Sequence, residues 1–274
     1  MSAAAVAVTP DWLLLREPAD SAARSAELAG RLERRFAGAG QLVIHDLGGG
    51  SGSMGRWLSP RLPGPQHWVL HDRDEKLLEL AASDAPGPAA DGSAVTVETR
   101  RSDVTRLAPG EVADADLVVS SALLDLLTED ELGAMLAACT EGGPRPMLLA
   151  LTVTGRVSLT PRGPLDTRIG AAFNAHQRRT TAAGHRLGPG AVAAALGQLG
   201  RSDAELLVRP SPWQLGEEHA ELAAEWLDGW VAAACEQEPA LTAETGSYRE
   251  RRLAQAAAGE LAVTVHHADL LVLP

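Results

Sequence analysis

Four glycines fill the five positions from Gly48 to Gly52, directly behind the apolar stretch Gln41–Leu47, and this run constrains the fold more than any other feature. An apolar run of strand length, then glycines, then a segment from Ser53 to Leu58 able to open a helix, reads as strand, tight loop and helix. Glycine costs more chain entropy on ordering than any other residue, so four together are expensive unless the backbone must turn sharply and lie close to something. The loop therefore predicts a ligand held against main chain.

Similar alternation runs on either side. Pro18 to Phe36 has the period of an amphipathic helix, with Leu28, Leu32 and Phe36 on one face, ended by Gly38 and Gly40. Trp68–His71, Ala94–Thr99, Ala115–Ser120 and Pro146–Val153 read as further strands, and Asp74–Ala82 and Thr128–Cys139 as helices. Thr128 is the expected N-cap of the latter, with Glu131 at the capping-box position. The fold class is accordingly α/β, Rossmann-like and doubly wound, with ligands at the carboxyl ends of a mostly parallel sheet. Regularity stops from Thr154 to Gly190, a Pro- and Gly-containing stretch that reads as a lid-like insertion after strand five. Beyond it Ala191–Leu199 and His219–Cys235 read as helices, and Ala204–Arg209 and Leu261–Leu273 as strands.

At 274 residues the chain is near the upper limit for one core, so a single domain is expected over 1–274. Its parts are an N-terminal helical segment (1–40), a glycine-loop half (41–153), the insertion (154–190) and a C-terminal half (191–274). The 45% hydrophobic content excludes a disordered or fibrous chain. Against 36 acids stand 24 basic residues, a net charge of -12 that disfavours nucleic acid as a partner. Two distant cysteines, Cys139 and Cys235, form neither a disulfide framework nor a metal knuckle. His266 and His267 are adjacent on a strand and point to opposite faces, so no metal site is expected. With no membrane-length apolar run and no leader-like N-terminus, the expectation is a cytoplasmic protein without membrane contact, monomeric or homodimeric.

Asp46-Leu47-Gly48-Gly49-Gly50-Ser51-Gly52 spells D-x-G-x-G-x-G, and here the chain resembles the class I S-adenosylmethionine-dependent methyltransferases. The resemblance implies that Asp46, with Gly48, Gly50 and Gly52, lies along the cofactor's methionine. It implies a seven-stranded sheet whose last strand is antiparallel. Asp72, followed by Arg73, takes the place of the ribose carboxylate, and Ser102-Asp103-Val104 that of the adenine segment. Ser120 and Ser121 stand near the transferable methyl group, in a segment resembling the family's fourth motif. The cofactor implied is S-adenosylmethionine and the product S-adenosylhomocysteine. All four segments fall in order between Leu42 and Val153, but the aromatic residue often present near the fourth motif is missing. So is the N/D-P-P-aromatic signature of base-amine methylation, which puts a nucleobase acceptor further in doubt. A competing reading takes Gly50, Gly52 and Gly55 as a G-x-G-x-x-G fingerprint with Asp72 for a ribose diol, which would make an NAD(P)-dependent oxidoreductase. That reading gives no role to Asp46 or Gly48. A third reading is a non-catalytic protein that binds the same cofactor.

Methyl transfer from a sulfonium needs mainly near-attack positioning of the acceptor, and a general base only where the acceptor must lose a proton. The expected acceptor is a small molecule, either anionic or a specialised metabolite. His176 or His185 is the expected base or anchor, with Asn174 and Gln177 beside the acceptor and Trp213 walling the pocket; the alternative places these side chains on the surface or in ordinary packing. Between Leu151 and Ser202 seven arginines face a single acid, Asp166. They either pair with the acidic helix around Glu217–Asp228 or draw an anionic acceptor.

Overall fold

The computed structural model describes residues 9–108, 110–141, 143–200 and 203–274. The leader reading at Met1–Val8 and Arg201 of the basic stretch lie outside the described residues.

Strand β1 (Leu42–Leu47) enters the glycine loop and helix α3 (Ser53–Leu58) leaves it. The strands β2 (Gln66–Asp72), β3 (Val95–Arg101) and β4 (Leu117–Ser121) are parallel to it, as is β5 (Met147–Thr160). Helices α4 (Glu75–Ser83) and α5 (Glu129–Thr140) supply crossovers. The strand order β3-β2-β1-β4-β5 continues into β10 (Ala262–Leu273) and β8 (Glu205–Pro210), with β10 antiparallel to both of its neighbours. These are the seven expected strands with the last inserted antiparallel; an eighth, β9 (Trp213–Leu215), pairs with the other end of β10. The order reverses between β1 and β4, which puts the ligand crevice at their carboxyl ends.

β1 and β4 are buried on both faces and carry near-continuous apolar runs, as central parallel strands must. One face packs Leu28, Leu32, Trp57 and Leu78 against Ile44 and Trp68, while the other packs Leu132, Met135 and Ala195 against Val118 and Leu149. A third cluster, around Ile169, Trp226, Trp230 and Tyr248, seats the C-terminal helices. Trp226 and Trp230 stack at 5.2 Å, the packing role expected of two aromatics four apart on a helix.

The capping box of α5 is formed as read. Glu131 N–H donates to Thr128 Oγ1 at 3.2 Å, and Thr128 N–H donates to Glu131 Oε2 at 2.8 Å. Thr128→Ala is expected to cost about 1 kcal/mol in urea unfolding, with Thr128→Ser recovering most of it.

Three expectations are corrected. The helix read from Pro18 is two helices, α1 (Pro10–Ala23) and α2 (Ala26–Arg35), broken at Arg24-Ser25. Thr9 and Pro10 are the true start; Pro18 sits inside α1, where the carbonyl that loses its donor belongs to Leu14, 54% exposed and so able to face water. The insertion is not irregular. It continues β5 to Thr160, forms α6 (Asp166–Gln177), and closes with a hairpin of β6 (Thr180–Thr181) and β7 (Gly184–His185). After α7 (Ala191–Leu199) and α8 (Ala220–Gln237), an unforeseen helix α9 (Thr242–Ala257) precedes β10. Arg252 of α9, 1% exposed, donates to the Pro161 carbonyl and with both bonds of one nitrogen to Asp166, which ties the start of α6 down.

Candidate functional site

The three motif glycines, Gly48, Gly50 and Gly52, are the three loop residues with left-handed backbone, at φ +70°, +53° and +83°. At Gly48 a Cβ would also come within 3.2 Å of the Leu123 side chain, which rises from the exit of β4. At Gly49, where φ is ordinary, a Cβ would come within 3.1 Å of Asp46 Oδ2, so bare backbone leaves the carboxylate its space. The loop is held open by its neighbours. Gly48 and Gly49 N–H both donate to the His71 carbonyl, and Gly50 N–H donates to Asp72 Oδ2 at 3.0 Å.

Asp46 at the end of β1 is completely buried, and neither carboxylate oxygen has a hydrogen-bond partner among the described residues. Burial pushes its carboxyl up to about 7, Arg24 pulling it down and Asp72 raising it. A buried carboxylate is normally satisfied, so two orphaned oxygens beside a bare-backbone loop fit a cationic, hydrogen-bonding ligand group such as an ammonium.

Arg24, at the break between α1 and α2, is 3% exposed and reaches into the same region. Its Nη1 donates to the Ser53 carbonyl, its Nη2 to Ser53 Oγ and to Ser121 Oγ, and its Nε has no partner. Burial lowers its pKa, against the fields of Asp20, Asp46 and Asp269. Asp269 of β10 accepts from Ser25 N–H at 2.7 Å and from Leu151 N–H at 2.8 Å. It thereby fixes both the helix break and Leu151, a non-glycine residue at φ +53° in β5.

Helix α1 lies across the loop. The Leu13 side chain would be 3.5 Å from a Cβ on Gly50, and Glu17 accepts from Arg56 of α3 at 2.5 and 2.7 Å.

Asp72 Oδ1 also accepts from Asp74 N–H, while Asp74, not Asp72, caps α4. Arg73 is exposed. Asp103 caps a 3-10 turn through Thr105, with Val104 buried behind it. Ser102 Oγ lies 3.0 Å from His71 Nδ1, and His71 Nε2 lies 2.9 Å from His45 Nδ1, a buried imidazole pair under the loop. Burial, then the neighbouring His45, holds His71 down at about 4. Ser120 Oγ donates to the Leu47 carbonyl. Asp46, Ser120, Ser121 and the glycines thus converge at the β1–β4 switch point.

The acceptor-side candidates are more dispersed. His176 Nε2 meets Glu236 Oε2 of α8 at 3.0 Å, and its ring accepts from Arg179. Asn174 donates to the Gly155 carbonyl, Gln177 Oε1 is buried without a partner, and His185 is exposed on the hairpin. None of these partners belongs to the glycine loop. Trp213 is 3% exposed, donates to Asp20 Oδ1 at 2.9 Å, and packs under Trp12 and Arg16 of α1. Of the basic stretch, Arg168 pairs with Glu238 and Glu244, which lie beyond the Glu217–Asp228 acids; Arg156, Arg162 and Arg178 are exposed; Arg179 and Arg186 are half-buried.

Two site residues escaped sequence reading. Arg24 was hidden in a helical pattern. Asp125, a lone acid in the apolar run Ala122–Leu127, carried a signal: it is buried in the turn Leu124–Leu126 just past β4. A surface groove lies elsewhere, between α5 and α7, and no glycine-loop residue lines it. No helix among the described residues is long and apolar enough to cross a membrane.

Residues 44–142 match the family model of the methyltransferase domain. No curated protein matches the chain in sequence. The fold is similar to that of a cyclopropane synthase from Mycobacterium tuberculosis, at 13% identity over 97% of this chain and 95% of that one, with a TM-score of 0.49. It is also similar to an S-adenosylmethionine-dependent methyltransferase from Geobacter sulfurreducens in complex with S-adenosylhomocysteine (13% identity, 97% and 98% covered, TM-score 0.41). A third likeness is to the magnesium protoporphyrin IX methyltransferase of Synechocystis (16%, 78% and 84%, 0.42). The D-x-G-x-G-x-G loop at the switch point falls within the residues that match the methyltransferase-domain model, so this part of the chain is similar to that domain.

Proposed function

We propose that the chain, as one domain over 1–274, methylates a small molecule bearing an anionic group, with the cofactor laid along the glycine loop. In this reading Asp46 faces the methionine ammonium and Gly48, Gly50 and Gly52 give the backbone its approach. Asp72 and Arg73 border the ribose, Ser102, Asp103 and Val104 the adenine, and Ser120 and Ser121 the methyl group. Arg24 joins them, because its buried, incompletely satisfied guanidinium suits the methionine carboxylate. The observation that carries the reading is the orphaned carboxylate of Asp46.

Bound cofactor supplies an electrophilic methyl group; what the protein supplies is orientation and exclusion of water, both favoured by α1 across the loop. The anionic acceptor is supported by the half-buried Arg179 and Arg186. Saturating S-adenosylhomocysteine is expected to raise the melting temperature, by about 2.7 kcal/mol of stability at a hundred times its Kd, while NADH leaves it unchanged. A shift with NADH and none with S-adenosylhomocysteine would return the loop to the dinucleotide reading.

A further inference from the structure

We propose that Asp125 is the general base that takes a proton from the acceptor, and that Arg186 and Arg179 hold the acceptor's anionic group beside it. This rests on the methyl-transfer reading above.

The geometry begins at the exit of β4. Ser121 Oγ accepts from Arg24, Ala122 stands in left-handed backbone at φ +53°, and Leu123 lies against Gly48 of the loop. A non-glycine residue held in that conformation costs on the order of 1 kcal/mol or more, and Asp125 follows in the turn Leu124–Leu126, two residues beyond Leu123. The Asp125 side chain is buried, yet no side chain among the described residues donates a hydrogen bond to it. The hairpin closes on the same stretch, since Leu187 N–H donates to the Leu127 carbonyl at 2.8 Å and Arg186 forms a β-bridge with Thr128. Asp125 is thus buried within reach of the fields of Arg16 on α1 and Arg186 of the insertion.

The charges around it are unbalanced. Arg16 of α1 and Arg186 are the cations whose fields reach Asp125, and Arg179 and Arg73 crowd Arg186. Arg16 is already engaged by Asp20, at 2.9 and 3.1 Å. Glu131 also faces Arg186 but is committed to the capping box of α5. The Arg186 guanidinium makes no ion pair or hydrogen bond among the described residues, and Arg179 spends one nitrogen on His176. Two guanidinium groups act on one carboxyl, and the unpartnered one, Arg186, is crowded by Arg179 and the exposed Arg73; that arrangement suits an anion, which a planar fork binds bidentately. Burial pushes Asp125 up to about 6, its own backbone N–H and then Arg16 and Arg186 holding it from going higher, and that value suits a base working near neutrality. His176 is tied to Glu236 and His185 is exposed, so neither is a buried group without a side-chain partner as Asp125 is.

The step balances as follows in atoms and electrons. The acceptor's lone pair forms the bond to the methyl carbon, and the carbon–sulfur bond breaks with its pair remaining on sulfur, which passes from sulfonium to thioether. The proton lost by the acceptor's hydroxyl or amine ends on Asp125. A carboxylate methylated on its own oxygen would need no base, so the class is an acid whose nucleophile is a separate hydroxyl or amine.

The test uses the full chain with methyl-labelled S-adenosylmethionine and a panel of hydroxybenzoic, hydroxycinnamic, amino and hydroxy alkanoic acids, each beside its neutral amide. Label is expected in an acid at least about tenfold over its amide, and Arg186→Gln is expected to raise KM about tenfold or more with kcat unchanged. Asp125→Asn should lower kcat about 100-fold or more at pH 8, remove the acidic limb near pH 6, and leave the S-adenosylhomocysteine melting shift intact. Stability supplies a readout apart from turnover. A raised carboxyl contributes stability present below its unfolded pKa and lost as pH rises past its folded one, so the difference between wild type and Asp125→Asn should change between pH 4 and pH 7. Should Asp125→Asn fail to fold, the wild-type rate profile and Arg186→Gln still decide. Amides accepted as well as acids, unchanged kcat in Asp125→Asn, or no label in any panel member despite an intact melting shift would overturn the proposal. Absence of the shift itself would instead overturn the cofactor reading.

Discussion

Asp46→Asn is expected to stabilise the cofactor-free protein at pH 8 while abolishing its response to S-adenosylhomocysteine. The carboxyl is completely buried, has no partner for either oxygen, and sits at about 7 where 3.8 is ordinary. A raised carboxyl contributes stability that is fully present below about pH 4 and lost as pH climbs past 7. Three pKa units at 1.36 kcal/mol each put the effect on the order of 4 kcal/mol. Urea unfolding at pH 4 and pH 8 should therefore show the variant equal to wild type at the lower pH and more stable at the higher. A variant less stable at pH 8 would mean that the ionised carboxylate is satisfied in the empty protein, and the case for an ammonium ligand would lose its footing.

Arg24→Met should act in the opposite direction. Removing one partner from a buried charge network leaves the others uncompensated, typically at about 3–5 kcal/mol. Asp46 and Asp269 lose an attracting cation, and Ser53 and Ser121 lose a donor. Since Arg24 pulls the Asp46 carboxyl down, the deficit should be largest above pH 7 and smaller at pH 5, where Asp46 is protonated. In an Asp46→Asn background the same substitution should cost less, and a double-mutant cycle in urea measures the difference. An equal cost in both backgrounds would show that the two groups do not interact.

The parts legible in the sequence were those written in local chemistry. A β1–glycine–α3 unit is spelled by an apolar run and glycines, and the α5 start by Thr128 and Glu131, because turns and caps involve residues a few positions apart. Helix α1 was misplaced because Pro10 and Pro18 carry the same signal, and which proline opens a helix depends on whether the carbonyl a turn earlier can reach water. Helix α9 left little apolar trace, since among its buried residues are Thr245 and Arg252, whose burial depends on Asp166 some eighty positions away. The proposed cofactor side, Arg24 apart, follows four short segments that each end a parallel strand and come in chain order. The proposed acceptor side draws on α1, the exit of β4 and the insertion, and no spacing rule joins Arg16, Asp125 and Arg186.

Helix α1 also bears on kinetics. With Leu13 seated over Gly50 and Glu17 clamped on Arg56, the carboxylate of Asp46 has no route to water. In the proposed reading a ligand laid along Gly50 meets Leu13, so its binding and its release both involve α1. On that reading the Glu17–Arg56 clamp, which touches no reacting atom, would govern how readily α1 yields to the ligand.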